Sequence, residues 1–263
     1  MNIIVCVKRV PDTTEVEVSI DKEGKDIVKE GLVFDINEWD RYALEEAIRL
    51  KEKFGGSVTV VLMSPEAAED AIRKGLAMGA DRAIFLKDQA FKGADGYAVA
   101  KILCQVIKDL PFDLVLTGGQ ASDDGYGQVG VILAELLRIP HATLVTQLEI
   151  LDKKARAHCE LEGGLEEVIE IQLPAVFTIQ TGINEPRYVS IMGIRKAAQK
   201  ETKALNLEQI GLKREEVGEL GSKTKLERVF LPPPGKEAEF LKGNPQEVAI
   251  KLVDILKREG GIA

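Results

Sequence analysis

In its first half the chain alternates short, β-branched apolar runs with longer stretches of helical periodicity, and few folds accommodate that alternation. Residues 2–7, 57–63, 82–86 and 112–116 are brief apolar runs of the kind that parallel strands bury on both faces. Between them lie helical patterns. After Asn37, the residues Ala43, Leu44, Ala47, Ile48 and Leu50 recur at helical spacing with charged residues opposite, and Gly55-Gly56 stops the run. Residues 65–77, 95–109 and 126–138 read the same way. The expected core is an α/β domain: an open, mostly parallel sheet with helices wound around it.

Three stretches depart from this pattern. Residues 15–20 and 25–34 flank the polar turn Asp21-Lys22-Glu23-Gly24 and predict a hairpin on the sheet edge. Residues 143–151, 155–161 and 166–173 are consecutive β-like runs joined by Asp152-Lys153-Lys154 and Gly163-Gly164, which predicts an antiparallel addition. After Lys200 come a polar, charge-rich connection, the run Pro232-Pro233-Pro234-Gly235, and a helical pattern from Asn244 to Arg258 opened by Asn-Pro. The domain reading is therefore residues 1–200 as the α/β unit and residues 201–263 as a C-terminal arm.

Composition narrows the function. The 263 residues are 45% hydrophobic and 30% charged, ordinary for a chain with a substantial core, and the net charge of −8 argues against a nucleic-acid or anionic-membrane surface. Cys6, Cys104 and Cys159 are scattered, with neither disulfide nor zinc-ligand spacing. No run is apolar for long enough to insert in a bilayer, and the segment after Met1 lacks the basic start and long apolar stretch of a signal peptide, so the expected location is the cytoplasm.

The most suggestive loop is Gly118-Gly119-Gln120-Ala121-Ser122-Asp123-Asp124-Gly125-Tyr126-Gly127-Gln128-Val129-Gly130. It follows a predicted strand and enters a helix, at the carboxyl edge where open α/β sheets bind ligands. Small residues let backbone approach a phosphate, and helix-start N–H groups favour its charge. The loop fits neither G-x-G-x-x-G nor the Walker pattern, so a phosphate cradle and a structural glycine turn both stand. Asp123-Asp124 reads as a helix N-cap and first-turn charge in preference to a metal pair. His141 and His158 sit in no catalytic arrangement, and Cys6 reads as packing. Trp39 and Tyr42 read as core aromatics. The stretch from Asn184 through Pro186 to Lys196 joins a rigid turn to an apolar and basic tip, which suits either a partner surface or a plain capped helix.

Taken together, these segments resemble the beta subunit of electron transfer flavoproteins. The resemblance is carried by Val7-Lys8-Arg9-Val10, Asn37 with residues 43–53, residues 76–82, the 120–130 loop, and residues 162–188. It covers the first two hundred residues in order and spacing. It implies a Rossmann-like, adenine-nucleotide-binding domain in a heterodimer with an alpha subunit that holds most of an FAD, with AMP inside the beta subunit. The implied nucleotide pocket comprises Cys6, Val7, Lys8, Asn37, Trp39, Asp40, Met63, Ser64, Gln120, Asp123, Asp124, Gly125, Tyr126, Gly127, Gln128 and Val129, with Asn37 on the base and loop amides on the phosphate. Tyr188, Ser190, Ile191, Met192, Ile194, Arg195 and Lys196 match the family's docking segment for flavoprotein dehydrogenases such as acyl-CoA dehydrogenases, and a quinone oxidoreductase is the implied acceptor. The C-terminal arm is expected to wrap the alpha subunit.

Two departures matter. The usual AMP loop has a third Asp, a small residue, Asn and Gln-Thr-Gly where this chain has Gly125-Tyr126-Gly127-Gln128-Val129-Gly130. The Gln-Val-Gly ending is closer to electron-bifurcating members, which oxidise NADH and carry a second FAD in the beta subunit, although those have Asp-Gly-Asp-Thr where this chain has Asp123 to Tyr126. Ile191 replaces the common Leu. The alternatives to a simple electron carrier are therefore a bifurcating flavoprotein and, more distantly, a stand-alone nucleotide-binding protein.

Overall fold

A computed structural model describes residues 1–233, 235, 238 and 240–261. Pro234 of the proline run, and Ile262 and Ala263 at the end of the predicted arm, lie outside the described residues. In chain order the elements are β1 (Asn2–Val7), β2 (Arg9–Pro11), β3 (Phe34–Ile36), α1 (Glu38–Phe54), β4 (Ser57–Ser64), α2 (Glu69–Met78), β5 (Arg82–Lys87), α3 (Gly96–Ile107), β6 (Leu114–Gly118) and α4 (Val129–Leu137). They continue with β7 (His141–Leu151), β8 (Lys154–Leu161), β9 (Leu165–Gln172), β10 (Ala175–Ile179), α5 (Ile191–Ala197), β11 (Glu201–Leu205), α6 (Leu207–Ile210), α7 (Gly218–Gly221) and α8 (Pro245–Arg258).

The main sheet has nine strands in the order β11-β5-β4-β1-β6-β10-β7-β8-β9. Every pairing from β11 to β7 is parallel, and β7-β8-β9 forms the antiparallel addition. Strand periodicity divides the core: Ile3, Val5 and Val7 of β1 point into one cluster with residues of α1 and α2, while Ile4 and Cys6 point into a second with residues of α3 and α4. Both faces are thus covered, which is why these strands read as continuous apolar runs.

From β1 the chain winds outward through β4 and β5, then crosses back to place β6 on the other side of β1. The order reverses between β1 and β6, and the crevice beyond their carboxyl ends is the place where such sheets take ligands.

Three expectations change. The edge hairpin does not form: residues 15–34 carry one isolated bridge, Ile20 to Ile27, and their base is the separate two-stranded β2-β3 ribbon. The segment's alternating residues Val16, Val18 and Ile20 offer a two-stranded ribbon too little apolar surface to hold, and Val16, Val28 and Val33 stay exposed. Two strands of the main sheet went unread. Ala175–Ile179 is only five residues, but it is fully buried between β6 and β7. Glu201–Leu205, within the supposed polar connection, pairs parallel to β5 and forms the sheet's edge. Its Glu and Lys side chains face water, as edge strands favour, and they hide it from a hydrophobicity reading. The chain therefore remains part of the sheet beyond residue 200 before it leaves for α8, which buries none of its own residues.

Candidate functional site

Three chain segments meet at the crevice. The first is the exit of β1, Val7 and Lys8; the second is the start of α1, residues 37–40; the third is the loop from Gly118 to Gln128. Parallel strands place their carboxyl ends on one edge, so segments far apart in sequence become neighbours there.

Asp40 joins the first two to the third. Its buried carboxylate accepts the backbone N–H of Lys8 at 2.7 Å and that of Gly118 at 2.9 Å, tying the end of β1 to the end of β6. Burial drives its pKa up to about 7, against the opposing pull of those two N–H groups, of Asn37 and of the Lys8 charge. Asn37, only 1% exposed, spans the loop with both ends of its amide: Nδ2 donates to the Gln120 carbonyl at 2.8 Å, and Oδ1 accepts the Ser122 N–H at 3.1 Å. The side chain is thus engaged with loop backbone at both ends of its amide. Its backbone N–H donates to the Lys8 carbonyl at 2.9 Å, closing the circuit.

Lys8 reaches over the loop. Its Nζ donates to Asp123 Oδ1 at 2.6 Å and to Asp124 Oδ2 at 2.8 Å. Burial alone would lower its pKa, but the two carboxylates outweigh that and raise it. The N-cap reading of Asp123-Asp124 is corrected here: α4 begins at Val129, and the aspartates turn to Lys8 instead. Asp124 also accepts the Tyr126 N–H at 3.0 Å, a side-chain turn that sets the loop's curl. A charge partner 115 residues away leaves no local signature.

The remainder of the loop faces outward. Gly125 and Gly127 have φ of 65° and 60°, the left-handed region that side chains disfavour. The N-terminus of α4 has no side-chain cap, so its first-turn N–H groups open onto this loop with their positive end of the helix dipole. A cavity of about 330 Å³ adjoins it, lined by Gly119, Gln120, Gly125, Tyr126, Gly127, Thr143, Leu144 and Thr178, and Tyr126 is 62% exposed. Uncapped amides beside a glycine loop suit the phosphate of a nucleotide.

The other sequence candidates are placed as follows. Cys6 sits at the end of β1 with its thiol in the α3-α4 core; burial and the nearby Asp40 raise its pKa, the opposite of a nucleophile's need. Met63 and Ser64 end β4, the strand beside β1. Trp39 is half-buried, and its Nε1 donates to Gln180 Oε1 at 2.9 Å, so it is neither wholly core nor free. Sequence reasoning named Gly118 and Gly130 as ends of the loop but missed the close approaches that require them to be glycine. A Cβ on Gly118 would stand 2.4 Å from Asp40 Oδ1, and one on Gly130 would stand 2.5 Å from Thr178 Cγ2. It also missed Leu144, which lines the cavity with a φ of 50°.

The 188–196 segment lies apart from the crevice, on the α1-α2 face. Ser190 caps α5 through the Gly193 N–H at 3.0 Å. Tyr188 is 97% and Ile191 74% exposed, and Met192, Ile194, Arg195 and Lys196 are exposed beside them. This cluster of apolar and basic side chains on one short capped helix is a surface without a partner among the described residues.

Fold and site together define a doubly wound α/β module with a glycine-rich loop at its switch point. A family model described as the electron transfer flavoprotein domain matches residues 26–210. Electron transfer flavoprotein subunit beta of Thermoanaerobacterium thermosaccharolyticum is 44% identical over 97% of this chain and 98% of its own length. The subunit of that name from Bacillus subtilis is 43% identical over all of both chains. The caffeyl-CoA reductase-Etf complex subunit CarD of Acetobacterium woodii is 41% identical over 98% of this chain and 99% of its own. The chain belongs to the electron transfer flavoprotein beta-subunit family, and its role is electron transfer. No helix among the described residues is long and apolar enough to cross a membrane.

Proposed function

We propose that this chain is the nucleotide-holding beta subunit of a heterodimeric electron transfer flavoprotein, with AMP at the switch-point loop and an FAD shared with a larger alpha subunit. The observation that carries the reading is the uncapped start of α4 beside Gly125 and Gly127, on a loop fastened by Asn37, Asp40 and Lys8. A phosphate there would receive loop and first-turn N–H groups, while Lys8 offsets the charge of Asp123 and Asp124. The flavin supplies the redox chemistry when bound. This chain's residues supply scaffold, nucleotide site and docking surface.

In this reading electrons arrive from flavoprotein dehydrogenases that dock on Tyr188, Ile191, Met192 and Ile194, with Arg195 and Lys196 as a basic rim. They leave to a quinone oxidoreductase or another acceptor. An apolar anchor inside a charged rim suits a contact that must form and release quickly. The arm ending in α8 wraps the alpha subunit: the helix is apolar at Ile250, Leu252, Val253 and Leu256, all exposed in this chain alone.

A second reading, an NADH-oxidising bifurcating flavoprotein with FAD in place of AMP, is favoured by the Gln128-Val129-Gly130 ending and by the cavity beyond the loop, which offers room past a mononucleotide's phosphate. Co-expression with the alpha subunit, denaturation and chromatography of released nucleotides separates the two. One FAD with one AMP per heterodimer supports the carrier; two FAD without AMP supports bifurcation; no nucleotide beyond a single FAD refutes both.

A further inference from the structure

The apolar tip at 188–194 leaves Tyr188, Ile191, Met192 and Ile194 exposed. The residues just before it are tied to α1 by side-chain contacts. Arg187 Nε and Nη2 donate to the two oxygens of Glu45 at 2.8 and 3.0 Å, and its backbone N–H reaches Glu45 Oε2 at 3.2 Å. The same guanidinium donates from Nη1 and Nη2 to Glu52 at 2.7 and 3.2 Å. Glu45 and Glu52 are two turns apart on one face of α1, and Arg49 between them donates to Glu45 at 3.0 Å and to the Glu185 carbonyl at 3.3 Å. Asn184 Nδ2 adds bonds to the Tyr42 carbonyl and to Glu46, at 3.1 and 3.0 Å. The side chain of Glu45 is 3% exposed, so this pair is shielded where most of the chain's ion pairs are not. Burial works to raise the Glu45 pKa, and the Arg187 and Arg49 contacts more than reverse it. On the far side α5 lies tightly on α2: a Cβ on Gly193 would stand 2.5 Å from the Ala77 carbonyl oxygen.

We propose that Arg187 is the positioning residue of the docking segment, clamping it to α1 through Glu45 and Glu52 so that the tip is ordered before a partner arrives. The inference rests on the reading that residues 188–196 dock a donor. It adds that α1 registers two functions at once: its first turn holds the nucleotide loop through Asn37 and Asp40, and its later turns hold the docking segment. A rigid helix between them fixes where a donor sits relative to the nucleotide site. A flexible tip would pay its ordering entropy at each encounter, and pre-ordering removes that cost from binding. Lys at 187 would keep the charge but not the fork that grips two carboxylates.

The test uses the intact heterodimer and a flavoprotein dehydrogenase, reduced by its own substrate, from which the unmodified complex accepts electrons. Arg187→Lys and Arg187→Ala are expected to raise the KM for that dehydrogenase by about tenfold, the equivalent of one shielded charged hydrogen bond, with kcat within about twofold. Flavin and nucleotide content should stay at wild-type levels, while amide hydrogen exchange over residues 188–197 quickens. Glu52→Gln, at an exposed partner, gives the same signs with a smaller rise and cannot be blamed on misfolding. Ile191→Asp serves as the docking control. If Ile191→Asp blocks transfer while all three clamp variants leave KM and exchange unchanged, the positioning role is overturned and docking stands. A fall in kcat at constant KM overturns it as well. If Ile191→Asp has no effect, the docking reading itself fails.

Discussion

Replacing Asn37 by Asp is nearly isosteric and probes the loop's fastening directly. Oδ1 still accepts the Ser122 N–H, but an oxygen now faces the Gln120 carbonyl oxygen where Nδ2 donated at 2.8 Å. The two oxygens tolerate each other only if the new carboxyl keeps a proton to donate. Holding it protonated above an ordinary pKa of about 3.9 costs roughly 1.4 kcal/mol per pH unit. That cost grows until releasing the loop becomes cheaper, a limit of about 1–3 kcal/mol set by the buried hydrogen bonds forfeited. A carboxylate at the start of α1 recovers about 0.3–1 kcal/mol from the helix dipole. The folded-state pKa is raised, so stability is intact below the unfolded value and lost as pH rises. Asn37→Asp should therefore match wild type near pH 4 and fall about 2 kcal/mol below it by pH 6–7, losing bound nucleotide over the same range. Asn37→Ala should show a loss of about 1–3 kcal/mol that does not vary with pH. Urea midpoints and nucleotide content of the heterodimer, each referred to wild type at the same pH, read the difference. An Asn37→Asp complex with wild-type stability and nucleotide content at pH 7.5 would refute the claim that the Nδ2 bond holds the loop.

Other outcomes follow from the same geometry. Gly118→Ala puts a methyl group 2.4 Å from Asp40 Oδ1 and should cost about 1–3 kcal/mol, seen as a lower melting temperature; an unchanged one contradicts the close approach. Asp40, with its pKa raised to about 7, contributes stability that is full below about pH 4 and lost as pH rises to 7; the stability of wild type relative to Asp40→Asn should thus decline between about pH 4 and 7, by up to about 1.4 kcal/mol per unit, and level off above, and a flat difference over that range refutes the shift. Lys8→Met should change the melting temperature little, because the pair is exposed, yet weaken nucleotide retention as Asp123 and Asp124 lose their counter-charge; retention equal to wild type in nucleotide assays argues against a phosphate beside them. Removing residues 244–263 should raise the dissociation constant of the heterodimer while leaving the melting of this chain's sheet unaltered, and undiminished affinity would end the wrapping role.

The parallel core was readable because its chemistry is local. Each strand of β1, β4, β5 and β6 is apolar on both faces, and each helix shows its stripe, so periodicity alone gives element type and order. The strands that escaped are those where local chemistry and position disagree. β11 is polar because it is an edge; β10 is a five-residue run between the Leu173-Pro174 junction and a loop, overlooked although all five of its residues are buried. The site shows the same division more sharply. That the Gly118–Gly130 loop belongs at a ligand-binding edge follows from strand, glycines and helix in succession. What holds the loop does not, because its fasteners lie 83 residues away in Asn37, 78 in Asp40 and 115 in Lys8. An Asn before a helix resembles a cap, and an Asp pair before a helix resembles first-turn charge; those local uses are common enough to mask a distant partner. In the structure neither does the local job. The side chain of Asn37 makes no cap bond to α1, and the aspartates stop short of α4. The aspartates turned to Lys8 leave the start of α4 without a side-chain cap, and Asn37 turned to the loop backbone holds that loop against it, an arrangement that suits an anion and that neither local pattern announces.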